Sequence, residues 1–256
     1  MITTGLTQMA KLSTIIITKN EELRIEKCLQ HLSWVDEIVI VDSYSTDRTL
    51  SICKTYTDRV YQRNFDSFEN QKNYALGLSR YDWILSVDAD EIVGDQLRDE
   101  ILSAINNPGI NEGFMVRREN CLFNCPVRYV WGEDAFLRLF LKNRSKFVGS
   151  VHEKVLLDAP IGRLRSPLFH YNSETMEEFI QKNNLYTSFE AKKKYESGER
   201  FSPLKALFAP FRIFVFRYFM LKGYRDGSLG LVLSSLLAVF DFLIHLKLWQ
   251  LHKGEK

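Results

Sequence analysis

Cysteine is scarce in this chain. Four residues, at positions 28, 53, 121 and 125 of 256, do not make a disulfide framework in a chain long enough to bury its own core. Cys121 and Cys125 have no second pair to complete a zinc site. All four are expected as unpaired thiols. Net charge is slight, +2, and no nucleic-acid partner is expected. Internal repeats and low-complexity tracts are absent. The first twenty residues lack the charged, then apolar, then small-residue order of a secretory signal, so the expected location is the cytoplasm. With 45% hydrophobic and 26% charged residues, neither a disordered chain nor a multi-span membrane protein is indicated.

The slight net charge hides an uneven distribution. Residues 201–256 carry eight Lys or Arg against Asp226, Asp241 and Glu255, which leaves the first 200 residues net negative.

Apolar patterning divides the chain. Leu12 to Thr18 and Glu37 to Val41 are β-branched runs that read as buried parallel strands. Between them Leu23, Ile25, Cys28, Leu29 and Leu32 recur at helical spacing over 21–32. Ser45, Thr46 and Asp47 are expected to cap a helix over 48–57, followed by a strand at 59–62 and a helix near 68–79. Tyr81 to Val87 forms a fourth strand that delivers Asp88 and Asp90 at its carboxyl end. The alternation predicts an α/β fold with a doubly wound, mostly parallel sheet, whose ligands bind at strand carboxyl ends. A helix to about Asn107 follows. Strand-like stretches near 113–118, 136–141 and 146–148 form a mixed second half, and 174–197 reads as a polar helix. Residues 203–250 read as two apolar helices broken around Gly223 to Gly230.

The chemistry concentrates where strands end. Asp88, Asp90 and Glu91 place three acids within four positions after a buried strand. Two such carboxylates suit a hard divalent cation completed by diphosphate oxygens and water; the plainer reading is loop acids capping the next helix. Asp42 ends a second strand, as ligand or as turn residue. Thr18, Asn20 and Glu21 follow the first strand, where Thr18 either meets a ligand or satisfies a backbone group. Lys72 is open between a surface lysine and a diphosphate contact.

Four stretches, IIITKNEE (Ile15–Glu22), VIVDSYSTD (Val39–Asp47), QKNYAL (Gln71–Leu76) and WILSVDADE (Trp83–Glu91), together resemble the family 2 glycosyltransferases of GT-A fold. Within them the branch resembled is that of lipopolysaccharide inner-core β-1,4-glucosyltransferases. The resemblance extends to Val151-His-Glu153, Phe169-His-Tyr171 and the Gly223 to Leu251 tail. It implies an inverting transferase that uses a UDP-sugar, UDP-glucose for this branch, and Mg²⁺ or Mn²⁺, with no covalent intermediate. By position, Thr18, Asn20, Glu21, Asp42, Lys72, Asp88 and Ala89 would hold the donor. Asp88 would reach ribose and metal, and Asp90 would ligate the metal. Asp134, or Glu133 beside it, would be the base that an attacking sugar hydroxyl needs; the plainer reading pairs one of these acids with Arg128 or Arg138. His152 would be a third metal ligand, with His170 as its competitor. Arg138 and Arg144 read as solvated arginines or as contacts to an acidic acceptor.

Residues 201–221 hold six phenylalanines punctuated by Lys205, Arg212 and Arg217, the composition of a helix lying in a membrane interface. Leu229 to Phe240 is too short an apolar run to span. The alternative is a pair of helices packed on the catalytic domain or between copies. The expected division is a catalytic domain over 1–200, with a donor half near 11–110 and an acceptor half near 111–200, and a membrane-associating tail over 201–256. The acceptor expected is a lipid-anchored glycan at the inner face of the cytoplasmic membrane, an inner-core heptose or alternatively polyprenyl phosphate. A nucleotidyltransferase would carry a glycine-rich loop after the first strand, and 18–22 contains no glycine. An inactive membrane scaffold is the reading of another class.

Overall fold

The computed structural model describes residues 9–123, 125–132, 134–149, 153–173 and 175–254. The chain opens with β1 (Leu12–Thr18), α1 (Ile25–Gln30), β2 (Glu37–Asp42), α2 (Thr49–Tyr56), β3 (Val60–Gln62), α3 (Phe68–Leu78) and β4 (Trp83–Ser86). Next come β5 (Glu91–Val93), α4 (Asp95–Asn106), β6 (Gly113–Leu122), β7 (Cys125–Val127), β8 (Asp134–Leu141), β9 (Ser145–Val148), β10 (Lys154–Leu157), β11 (Ile161–Arg163) and β12 (Leu168–Ser173). Three long helices close the chain: α5 (Met176–Glu196), α6 (Pro203–Val215) and α7 (Gly227–Lys253).

The main sheet runs β3-β2-β1-β4-β8-β6-β12-β5. Its first four strands are parallel, with Ile15 level with Val39 on one side and Ser86 on the other. β8 then runs antiparallel to β4, and β12 antiparallel to β5. This is the doubly wound, mostly parallel α/β sheet with a mixed second half and C-terminal apolar helices, the GT-A fold that the resemblance implies. β1 is buried along its length because its β-branched side chains are covered on both faces. One core gathers Ile16, Leu29, Ile40, Leu85 and Leu97, and another gathers Ile15, Val39, Ile84 and Phe140.

The chain divides into two compact units, one reaching to Arg118 and resuming over Ala135–His170, the other comprising Glu119–Asp134 and Tyr171–Lys256. The second unit has its own core of Leu122, Val127, Val130, Phe179, Leu233 and Phe240.

Several local expectations change. α1 is shorter than 21–32: a turn in which the Glu21 carbonyl accepts from Arg24 N (3.0 Å) and Ile25 N (2.9 Å) precedes it, and Leu23 is exposed. Of the three capping candidates only Asp47 caps α2, its Oδ1 accepting from Thr49 N (3.0 Å), while Ser45 turns to Asp42. Five short strands (β5, β7, β10, β11, β12) had no signature in the sequence. The break between α6 and α7 falls as expected, occupied by a π-helical turn at Phe216–Met220 and a 3-10 turn at Gly223–Asp226. α7 is not interrupted at Asp241. With the preceding turn it makes 31 residues whose most apolar 18-residue window has a mean hydropathy of 2.1, long and apolar enough by length and composition to cross a membrane. All four cysteines are free thiols.

Candidate active site

The carboxyl ends of β1, β2 and β4 lie side by side, and their loops are tied together. Lys19 Nζ donates to the Ser43 and Tyr44 carbonyls (2.8 and 2.7 Å), and Asn20 Oδ1 accepts from Thr46 N (2.8 Å). Asn20 and Tyr44 both take positive φ, 53° and 57°. Asparagine tolerates this, whereas a tyrosine held there stores strain of about 1–3 kcal/mol, a cost found where a loop is shaped for a task. Asp42 is fully buried and accepts from Ser45 N (3.0 Å) and Gln62 Nε2 (3.1 Å), so it holds the turn that carries Ser43 to Ser45. Thr18 Oγ1 is buried with no hydrogen-bond partner among the described residues, an orphan that a bound polar group would satisfy.

Past β4 the chain enters a network of charges. Asp88 Oδ1 accepts from Lys72 Nζ (2.8 Å), and Asp88 Oδ2 from Arg138 Nη2 (2.8 Å). Lys72 also reaches Glu153 Oε1 (2.7 Å), and Arg138 reaches Glu91 Oε1 (2.6 Å). Glu91 turns back to accept from Asp88 N (2.9 Å). Burial alone would raise the Asp88 carboxyl, but Arg138 and Lys72 hold it well below the usual carboxylate range. Burial pushes Glu91 up to about 7 against the pull of Arg138. Lys72 is opposed by its own burial, yet Asp88 and Glu153 raise it above an ordinary lysine. Lys72 is therefore no surface lysine, and Arg138, 7% exposed, is no solvated arginine. Arg144 is exposed and pairs with Glu112 (3.0 Å). Arg128 pairs with Glu119 (2.9 Å).

Asp90 stands beside His170, with Oδ2 to Nε2 at 3.0 Å. β12 makes this contact possible, since its pairing with β5 sets His170 level with Glu91. Adjacent ligands around an octahedral cation also lie about 3.0 Å apart, each roughly 2.1 Å from the ion at right angles. The pair fits one edge of such a site. Among the described residues no group of three His, Cys, Asp or Glu could hold an ion, so the remaining ligands of a cation here would come from substrate and water.

A cavity of about 560 Å³ opens onto the network, lined by Lys72, Asp88, Arg118, Arg138 and Glu153 and floored by Phe136 and Phe147. Phe136 offers its ring to both guanidiniums, 4.7 Å from Arg118 and 5.6 Å from Arg138. Ser86 Oγ in its wall is a second buried hydroxyl without a hydrogen-bond partner among the described residues.

The structure thus brings Lys72, Asp88, Ala89 and Asp90 together, and joins the Thr18, Asn20, Glu21 and Asp42 turns in a neighbouring layer. Asp134 is the first residue of β8 and belongs to the second unit. Glu133 and His152 lie outside the described residues. From the sequence Arg138 reads only as a solvated arginine or an acceptor contact, Glu91 only as one of three clustered acids, and Glu153 only as part of Val151-His-Glu153; nothing local places them beside Asp88 and Lys72.

An α/β sheet with a charged cavity and paired acids at its carboxyl edge is a scaffold for binding a nucleotide-linked substrate. The model of glycosyl transferase family 2 matches residues 13–150, more than half of the chain, and the chain belongs to that family. It is 32% identical over 254 residues to the lipopolysaccharide core biosynthesis glycosyltransferase LpsC of Rhizobium meliloti, covering 94% of this chain and 93% of the relative. It is 29% identical over 264 residues to an uncharacterized glycosyltransferase, RT0209, of Rickettsia typhi, covering 95% and 88%. Among solved structures, residues 1–349 of S. aureus TarS match with 18% identity and a TM-score of 0.47, covering 91% of this chain and 80% of that one.

Proposed function

We propose that this glycosyltransferase moves glucose from UDP-glucose, with inversion, to an inner-core heptose of a lipid-anchored lipopolysaccharide acceptor at the inner face of the cytoplasmic membrane. The observation that carries the reading is the network at the end of β4, where Lys72 and Arg138 bracket Asp88 and His170 stands against Asp90. The relative named for lipopolysaccharide core biosynthesis supports the acceptor class. In this reading residues 1–200 form the catalytic part and 201–256 associate with the membrane.

Asp90 and His170 would hold Mg²⁺ or Mn²⁺, with Asp88 beside them as the link to the ribose. The cation, when bound, offsets the negative charge of the leaving diphosphate as a Lewis acid. The chain's own residues do the positioning. Arg138, fixed by Glu91, orients Asp88, and Lys72 brings a buried positive charge to the cavity that the diphosphate enters. Thr18, with Asn20 and Glu21, and the turn held by Asp42 receive the uridine; Ala89 is small enough to let the backbone approach. Asp134, with Glu133 as second choice, takes the proton of the attacking hydroxyl as the new bond forms. That assignment rests on the family resemblance.

The test is turnover of a panel of UDP- and GDP-sugars by the purified protein, with and without Mg²⁺ or Mn²⁺, beside Asp90→Ala, with truncated lipopolysaccharide or polyprenyl phosphate as acceptor. Metal-dependent consumption of one UDP-sugar, lost in the variant and dependent on the lipopolysaccharide, is the expected result. No turnover and no calorimetric binding of UDP would refute the reading in favour of a membrane-bound scaffold. Transfer to polyprenyl phosphate alone would overturn the acceptor while keeping the chemistry.

A further inference from the structure

The helix α6 is inside out. Leu204, Leu207, Phe208 and Phe211 follow the i, i+3, i+4, i+7 spacing by which a helix ordinarily buries its apolar stripe. Here they are 69%, 67%, 62% and 69% exposed, and Ala206 is the one buried residue of the helix. The stripe runs on through Phe219 and Met220 in the π-helical turn, 56% and 71% exposed. So large an apolar surface left in water marks a contact with something else. The charges on α6 are Lys205 and Arg212, and it carries no acid.

We propose that α6, with the turn that continues it, is the face through which this chain lies in an anionic lipid monolayer, and that α7 does not cross the bilayer. The stripe would enter the boundary between headgroups and acyl chains, while Lys205 and Arg212 reach lipid phosphates beside it. A second copy of the chain is the poorer occupant. Stripe against stripe in either direction brings Lys205 and Arg212 of one α6 toward those of the other, and the acid beside Lys205, Glu199 at 3.5 Å, is already shared with Lys194 at 2.9 Å.

α7 has the length and hydropathy of a spanning helix, but its polar groups bind it to its neighbours. Lys247 Nζ lies 2.7–2.8 Å from Asn184 O and Oδ1, Thr187 Oγ1 and Ser188 Oγ, a cage of four acceptors for its three N–H donors, which fastens it to the polar helix α5. His252, near the end of α7, meets the Glu199 carbonyl at 3.0 Å, while within the helix itself buried His245 lies 3.9 Å from Asp241. Drawing α7 through hydrocarbon would break these contacts or carry α5 and its charges in with it.

The inference shares with the proposed function only the membrane, and needs neither its donor nor its acceptor. It is tested without nucleotide, by flotation of the full-length protein with vesicles of phosphatidylcholine alone or mixed with phosphatidylglycerol. Binding to the mixed vesicles is expected, weaker by on the order of tenfold without the anionic lipid or with Lys205→Glu/Arg212→Glu, and abolished by Leu207→Glu/Phe208→Glu. An alkaline carbonate wash should release the bound protein. Equal binding to both vesicles, flotation of the Leu207→Glu/Phe208→Glu protein, or retention through the wash would overturn it. So would a stable dimer that binds no vesicle. UDP-sugar hydrolysis by the same preparations reports separately on the catalytic reading.

Discussion

Arg138 is the side chain on which the site's electrostatics turn. It is almost fully buried between Asp88 and Glu91, and Glu91 has no exposure at all. Removing one partner from a buried ion network leaves the others uncompensated, so Arg138→Met should cost about 3 kcal/mol of stability. Because burial already brings Glu91 near neutrality, Glu91→Gln should be cheaper in the Arg138→Met background than alone. A double-mutant cycle by urea denaturation measures that coupling, and strict additivity would rule it out. A second carboxylate gives a cleaner dependence on pH. Glu100 accepts from Arg165 N (2.7 Å) and Ser166 N (2.9 Å). Burial alone would raise its carboxyl, but these N–H groups hold it below its ordinary value. A depressed folded pKa stabilises above the unfolded value of roughly 4.3, and that stability is lost as pH falls through the folded value. Wild type should therefore exceed Glu100→Gln by about 1 kcal/mol at neutral pH, the difference fading as the pH falls below the unfolded value. A difference that persists unchanged at the acid end would mean the charge plays no part.

At the scale of elements, the close approach of two glycines controls how α7 begins. A Cβ on Gly230 would sit 1.9 Å from the Gly223 carbonyl oxygen, and one on Gly223 would sit 2.7 Å from that of Arg217. Helix propensity favours Ala over Gly by about 1 kcal/mol, so propensity alone makes Gly230→Ala stabilising. The backbone contact reverses the sign, and thermal melting should find the variant less stable than wild type. A raised melting temperature would mean that the turn moves aside at no cost. The elements most legible in the sequence were those whose environment is uniform along their length. β1, β2 and β4 are buried except at Ile17 and Ile38 and read as β-branched, mainly apolar runs, and the helices between them carry their own period. β12 mixes Leu168 and Phe169 with His170 and Tyr171, and its strand character comes from its place against β5, which no local pattern records. The site follows the same division. Asp88 and Asp90 were legible because acids so rarely end a buried strand. Lys72 was ambiguous because α3 is polar in composition, and its burial comes from partners 16 and 81 positions away. Arg138 meets Glu91 across 47 residues, and His170 reaches Asp90 only through the pairing of β12 with β5.

At the scale of the whole molecule, the proposed chemistry makes stability depend on nucleotide and metal together. Thr18 Oγ1 and Ser86 Oγ are buried with no hydrogen-bond partner among the described residues, and the acids at the end of β4 are answered by Lys72, Arg138 and His170. A diphosphate arriving alone brings more negative charge to a site that already holds Asp88, Asp90 and Glu153. Arriving with a divalent cation, it brings the charge that Asp90 and His170 are spaced to receive. UDP should therefore stabilise the protein strongly in the presence of Mn²⁺ or Mg²⁺ and weakly in EDTA. At a ligand concentration a hundred times its dissociation constant the gain is about 2.7 kcal/mol, roughly 5 to 10 °C for a chain of this size. Asp90→Ala should abolish the part that depends on metal and keep the part that does not, and His170→Ala should do the same if both side chains hold the ion. Thermal unfolding with UDP, metal, both and neither separates the terms without any acceptor or turnover. A UDP shift that is equal in EDTA would remove the cation from the site while leaving the nucleotide there. A shift that depends on metal yet survives both substitutions would move the cation to other ligands. Loss of the metal-dependent shift in each variant, with the remainder intact, would tie the Asp90 and His170 pair to the cation and leave Asp88 to be assigned by the same measurement.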